Sequence, residues 1–148
     1  MDRPIRIVLA DDHPVVRIGV RNMLTESEGF EVVGDATDGD EAITETLEKQ
    51  PDILLLDEPF GALDSLTRTR LQNEFLRIWE HEGITMVMVT HDVEEAVFLS
   101  DRIAVIEPRP GRVNRLLDVR LDRPRRRSDP AFVALKEEIL ADLNTAEQ

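Results

Sequence analysis

The stretch from Pro51 to Asp64, PDILLLDEPFGALD, constrains the fold more than any other part of this chain. It places a short apolar run, Ile53 to Leu56, directly before an acid pair, Asp57 and Glu58. An apolar run of this length, bounded by turn residues, is typical of a strand that is buried in a parallel sheet. Open α/β sheets carry their sites at the carboxyl ends of such strands. The stretch therefore predicts an α/β fold with Asp57 at its functional edge.

The composition indicates a globular protein with few classes of partner. The 148 residues are 41% hydrophobic and include no cysteine, so we expect no disulfide and no thiolate metal site. No apolar run approaches the roughly 20 residues of a membrane span, and the N-terminus has no signal-peptide pattern. The net charge of -13 disfavours general nucleic-acid binding. We expect a cytoplasmic protein with no nucleic-acid or membrane partner, and a solvated linker at the basic cluster Arg123 to Arg127.

Strands and helices alternate along the chain, which predicts a doubly wound, mostly parallel sheet in a single domain over residues 1–148. Asp38 and Asp64 are predicted helix N-caps, and Gly83 is a predicted helix end. The turn signal Pro110-Gly111 predicts a hairpin whose second strand returns antiparallel at the sheet edge. The predicted strands are 5–10, 30–34, 53–56, 84–90, 102–106 and 113–121, and the predicted helices start at 14, 41, 66, 93 and 131.

The first part of the chain, about residues 1–57, carries the segments LADDHPVVRIGVRNML, EVVGDATDGDEAI and PDILLLD. These segments resemble the receiver domain of two-component response regulators, most closely the regulators with a LuxR-type DNA-binding domain. The resemblance implies a flavodoxin-like five-stranded sheet in the order 2-1-3-4-5, followed here by the edge hairpin and a C-terminal helix. It implies that Asp11 and Asp12 form an acidic pair and that Asp57 accepts phosphate.

The same resemblance implies a Mg²⁺ site, in which the Pro59 carbonyl joins Asp12 and Asp57. Clustered carboxylates suit this chemistry, because a hard cation prefers oxygen ligands and offsets the charge of an incoming phosphoryl group. Under this interpretation, and only under it, a histidine kinase or a small phosphodonor is the partner.

The second part, about residues 54–143, carries LLLDEPFGALDSLTR, MVMVTHDVEEAVFLSDRIAVI, PRPGRV and RSDPAFVALKEEIL. These segments resemble the C-terminal part of an ABC-transporter ATPase, most closely the nitrate, sulfonate and taurine importer group. The resemblance implies that Asp57 is the Walker B acid and that Glu58 lies beside the attacking water. It also implies that Asp64 belongs to the D-loop and that His91 is the switch histidine.

For each of the two families, this chain lacks part of the family's functional site. The chain has no G-x-x-x-x-G-K-[ST] run to hold nucleotide phosphates, so we expect Glu58 and His91 to be vestigial and the chain not to be an enzyme. Thr90 matches the receiver Ser or Thr that follows the fourth strand. The receiver Lys after the fifth strand is replaced by Glu107, which would repel an aspartyl phosphate, and Ala104 matches the aromatic position.

Three functions follow from these observations. The favoured hypothesis is an engineered chimera that joins a receiver-like half, 1–57, to an ABC-ATPase-like half, 58–148, and a natural receiver altered by recombination is the second explanation. The chimera would have no complete native activity and at most weak Mg²⁺ binding. The alternative is a phosphoacceptor receiver domain for phosphorelay signalling through Asp57, and the third hypothesis is an ATP-binding ABC-type protein. We also expect mutual repulsion in a cluster of acids, which are Asp11, Asp12, Asp57, Glu58 and Glu107.

Overall fold

The computed structural model describes residues 3–146, and the chain divides into two compact units, Met1–Val89 and Thr90–Gln148. The single domain over 1–148 therefore stays a prediction, and the units are described one at a time. None of the helices within the described residues is long and apolar enough to cross a membrane. The elements in chain order are β1 Ile5–Ala10, α1 Pro14–Glu26, β2 Phe30–Ala36, α2 Gly39–Lys49, β3 Ile53–Asp57, α3 Ser65–Glu82, β4 Thr85–Val89, α4 Val93–Leu99, β5 Arg102–Pro108, β6 Gly111–Asp118 and α5 Pro130–Ala146.

The N-terminal unit contains a four-stranded parallel sheet in the order β2-β1-β3-β4. The two central strands supply the centre of its core, where Val8 and Leu54 have no exposed surface. The register sets Ala10 of β1 opposite Leu56 of β3, and Asp57 opposite Val89 of β4. The α/β class and the flavodoxin-like order of these four strands are confirmed.

The helix caps that were predicted from the sequence are present in the structure. The Asp38 carboxylate accepts a 2.8 Å hydrogen bond from the Glu41 N–H, and the Asp64 carboxylate accepts one of 2.9 Å from the Thr67 N–H. Gly83 ends α3 in the left-handed conformation at φ +64°, where a residue with a Cβ would be strained. Local chemistry alone therefore determined where these helices begin and end.

Helix α1 differs from its prediction, because none of its residues is buried. Its predicted apolar face included Val16 and Met23, which are 42% and 67% exposed. In α2, Leu47 is 45% exposed, whereas Ala42 is fully buried as predicted. Helical periodicity identifies an apolar stripe but does not show whether another element covers it.

The C-terminal unit contains an antiparallel hairpin, β5 with β6, together with α4 and α5. The predicted hairpin and C-terminal helix are confirmed, but the placement of the fifth strand in the parallel sheet is wrong. Strand β5 has one buried face, formed by Ile103 and Val105, whereas Arg102 and Ile106 on its other face are exposed. A strand inside a doubly wound sheet is apolar on both faces, and β5 instead pairs only with β6. The core of this unit contains Val97, Ile103, Val105, Val119, Phe132 and Ile139.

Candidate functional site

An acidic cavity of about 90 Å³ opens at the carboxyl edge of the parallel sheet. Four predicted site residues, Asp11, Asp12, Asp57 and Pro59, line this cavity together with Glu58. The strand register explains the arrangement, because Ala10 and Leu56 are paired and the next residue of each strand is an aspartate. The remaining lining comes from the β2–α2 turn and the segment after β3, with Ala10, Thr37, Asp38, Gly39, Leu56, Ala62 and Leu63.

Asp11 is fixed in position and almost completely buried, at 4% exposure. Its N–H donates to the carbonyl of Ala36, and its carbonyl accepts a 2.9 Å hydrogen bond from Nη1 of Arg17. Its Oδ1 accepts a 2.9 Å hydrogen bond from the N–H of His13. Its Oδ2 is buried and has no hydrogen-bond partner among residues 3–146. An unpaired buried carboxylate oxygen is costly, so this atom marks a place for a cation or a proton.

The surroundings of Asp57 raise the pKa of its carboxyl group. Burial raises the pKa of Asp57, and the carboxylate of Asp11 beside it raises that pKa further. The charge of Glu58 acts in the same direction, whereas His13 lowers the pKa. Like charges therefore converge on Asp57, and a bound cation would relieve that repulsion.

His13 belongs to the acidic cluster, although the sequence analysis gave it no role. Its Nδ1 lies 2.7 Å from Asp12 Oδ1 and 3.1 Å from Asp11 Oδ1, and these contacts raise the pKa of His13. The potential ligand atoms of the three residues lie within 4.8 Å of one another. The adjacency of Asp11, Asp12 and His13 in sequence was the available signal. The Asp12 side chain is 54% exposed.

Glu58 follows the phosphoacceptor candidate in a left-handed backbone conformation, at φ +46°. Such a conformation is uncommon for a residue with a side chain and is costly unless its surroundings fix it. The Glu58 N–H donates a 2.8 Å hydrogen bond to the carbonyl of Val89, which fixes this turn against β4. The strained turn carries Asp57 and the Pro59 carbonyl together to the cavity.

The other candidate residues are not among those that line this cavity. Asp64 caps α3, as the Thr67 contacts show, and that role alone accounts for it. Thr90 and His91 belong to the C-terminal unit, where the Thr90 hydroxyl accepts a hydrogen bond from the N–H of Asp92. Glu107 also belongs to that unit, and its carboxylate pairs with the guanidinium of Arg112. The charge of Glu107 is therefore compensated within the hairpin.

The sequence model of the response regulator receiver domain family matches residues 7–100 of this chain. The chain belongs to the response regulator receiver family. Among solved structures, the response regulator domain of Thermotoga maritima CheB is 22% identical, with coverage of 97% of this chain and 96% of that chain and a TM-score of 0.49. A LuxR-family response regulator from Aurantimonas sp. SI85-9A1 is 30% identical, with coverage of 64% and 65% and a TM-score of 0.47.

The C-terminal part of this receiver-family chain is similar to a different group of proteins. The aliphatic sulfonates import ATP-binding protein SsuB of Bacillus licheniformis is 45% identical over 106 residues, which are 72% of this chain and 42% of that protein. An ABC transporter ATP-binding protein of Methanocaldococcus jannaschii is 50% identical over 99 residues, or 67% and 37% of the two chains. The chain thus spans about two fifths of the length of these relatives.

This similarity overturns one expectation about the receiver-family chain. The prediction that it is not an enzyme is wrong, because the relatives of its C-terminal part are ATP-binding proteins of ABC transport systems. The prediction that two families meet in this chain is confirmed.

Proposed function

We propose that the N-terminal unit binds Mg²⁺ at the acidic cavity and accepts a phosphoryl group on Asp57. The observation that carries this proposal is the buried, unpartnered Oδ2 of Asp11 beside the Asp57 carboxylate. A cavity of about 90 Å³ has room for roughly three waters, and Mg²⁺ in proteins keeps several of its own. Asp11, Asp12, Asp57 and the Pro59 carbonyl would hold the ion, which supplies charge neutralisation for an incoming phosphate.

The protein residues define the transfer step. One carboxylate oxygen of Asp57 attacks the phosphorus of a phosphodonor, and the bond between phosphorus and the donor breaks. The donor leaves with the electron pair of that bond, and Asp57 becomes an acyl phosphate. A histidine kinase or a small phosphodonor is the partner under this proposal, and the cytoplasmic location remains a prediction with it.

Amide NMR of the full chain at neutral pH tests the ion site. We expect Mg²⁺ at millimolar concentrations to shift the amides of residues 10–13 and 56–59 in a saturable way. The Asp57→Asn variant should show weaker shifts. Asp52→Asn is the matched control, because Asp52 precedes the same strand at its opposite end and should leave the titration unchanged. Identical titrations of the wild type and Asp57→Asn would exclude this ion site.

Intact-protein mass spectrometry with a small phosphodonor tests the transfer step. We expect one added phosphoryl group in the wild type, its release by hydroxylamine, and none in Asp57→Asn. Modification of both proteins to the same extent would place the phosphate elsewhere.

The similarity of the C-terminal part to ATP-binding proteins supports nucleotide binding as a second candidate function. His91, in the C-terminal unit, is the residue that this function would use. Equilibrium titration with ATP and Mg²⁺ tests it, and binding should weaken in His91→Ala. The absence of ATP binding to the wild type would remove this candidate.

We also propose that recombination within β3 produced the chain, because both sets of motifs include residues 54–57. Sequencing of the source DNA and transcript across the β3 codons should show one continuous reading frame. An interrupted frame there would contradict a natural recombined gene.

A further inference from the structure

Three polar atoms of Asp11 are held, namely its N–H, its Oδ1 and its carbonyl. The sheet supplies the acceptor for its N–H at Ala36, and the next turn supplies the His13 N–H for its Oδ1. The Asp11 carbonyl is held by the guanidinium of Arg17, one turn into α1, at 2.9 Å. The Arg17 contact therefore fixes the backbone from which the Asp11 carboxylate projects.

The charge of Arg17 also acts on a second turn of the cavity wall. Hydrogen bonds from Thr37 lower the pKa of Glu41, and the charge of Arg17 contributes in the same direction. Glu41 Oε2 accepts hydrogen bonds of 2.7 Å from both the N–H and the hydroxyl of Thr37. Thr37 and Asp11 both line the acidic cavity. Arg17 thus holds the β1–α1 turn directly and acts on Glu41 through its charge, without being a proposed ligand itself.

We propose that Arg17 is a positioning residue that holds the Asp11 turn in the geometry required for cation binding. This inference rests on the proposed Mg²⁺ site. Residues that orient metal ligands typically change affinity by about 10- to 100-fold when they are removed. The positive charge of Arg17 acts in the opposite direction by repelling a cation, but screening of partly exposed charges makes that effect small. In the Mg²⁺ affinity of an Arg17 variant, the loss of positioning should therefore outweigh the loss of repulsion.

The test compares Arg17→Gln with Arg21→Gln in the full chain. Arg21 lies one turn further along α1 and pairs with exposed Asp35, so both substitutions remove one positive charge from the same helix. Isothermal titration with Mg²⁺ should give at least a tenfold weaker affinity for Arg17→Gln and a change below about twofold for Arg21→Gln. Arg17→Lys keeps the charge and one donor, and it should recover part of the affinity. Equal or tighter binding by Arg17→Gln would overturn the proposal.

Amide hydrogen exchange provides a readout that does not require the ion. Exchange at Asp11, His13 and Thr37 should accelerate in Arg17→Gln relative to Arg21→Gln, with α3 unchanged as an internal reference. If the wild type fails to bind Mg²⁺ but this local acceleration occurs, the proposed function fails and the positioning role stands. Equal exchange in the two variants would overturn the positioning role. If Arg17→Gln does not fold, the comparison is made with Arg17→Lys.

Discussion

The carboxyl groups of Asp11 and Asp57 lie side by side at the carboxyl edge of the sheet, and each is one residue beyond a paired position of its strand. Asp11 is nearly fully buried, and its proximity raises the pKa of Asp57. The parallel register of β1 and β3 enforces this contact, since Ala10 and Leu56 are opposite each other. The fold therefore places two like charges together.

Asp57→Asn should stabilise the protein when divalent cations are removed by a chelator. The folded-state pKa of Asp57 lies above its ordinary value of 3.8, so the wild type loses stability as the pH rises from about 3.8 through the folded-state pKa. The asparagine variant lacks this loss. Because Asp57 is partly exposed, we expect a gain of up to about 1 kcal/mol at neutral pH in urea unfolding. A variant that is no more stable than the wild type would show that the two acids do not repel each other.

Asp52→Asn should have the opposite dependence on pH. Asp52 accepts hydrogen bonds from the Arg3 guanidinium and from the Arg6 N–H, and these contacts hold its pKa below 3.8. A lowered pKa contributes stability above 3.8 that is lost as the pH falls through the folded-state pKa. The variant should have a lower free energy of unfolding than the wild type at neutral pH. Its free energy of unfolding should also fall less as the pH is lowered, which urea unfolding from about pH 2 to 6 measures. Arg3→Gln should reproduce part of this effect, and parallel pH profiles for Asp52→Asn and the wild type would contradict it.

Thr46→Val should raise the free energy of unfolding by about 1 kcal/mol. Thr46 has no exposed surface, and its Oγ1 has no hydrogen-bond partner. Valine has nearly the same shape and removes the cost of burying that oxygen. The matched control is Thr44→Val on the same helix, where the hydroxyl is exposed and bonded to the Asp40 carbonyl. A loss of stability in Thr46→Val would mean that the hydroxyl finds a partner in solution.

Arg125→Met should destabilise the C-terminal unit by about 3 kcal/mol. Arg125 is 8% exposed, and its guanidinium donates to the carbonyls of Val97, Ser100 and Leu121 at 2.7, 2.6 and 3.1 Å. Removing it leaves carbonyls at the end of α4 without a donor. Circular dichroism in urea measures the loss, and exposed Arg126→Met is the control. Equal stability of the two variants would show that water replaces the Arg125 contacts.

Much of the local structure followed from residue types. Asp38, Asp64 and Gly83 define helix boundaries through contacts within a few residues of each other, which is why they could be predicted. The basic cluster shows the opposite case, since the expectation of a solvated linker is wrong for Arg125. Its carbonyl acceptors Val97 and Ser100 lie 28 and 25 residues away in the sequence, and no periodic pattern connects them.

The candidate site shows the same division. The acids after β1 and β3 could be predicted to converge, because parallel strands end at one edge of a sheet. The roles of His13 and Arg17 could not, since each depends on where the first turn of α1 directs a side chain.

By itself, the sequence determined the α/β class, the cap residues, the acidic edge centred on PDILLLD and the presence of two families in one chain. Only the tertiary structure decided that β5 pairs with β6 instead of the parallel sheet, and that Asp11 has an unpartnered oxygen beside Asp57. The physical reason is the distance along the sequence over which each kind of interaction acts. Caps and strand patterns act over a few residues, whereas strand placement and carboxylate solvation depend on which distant surfaces meet.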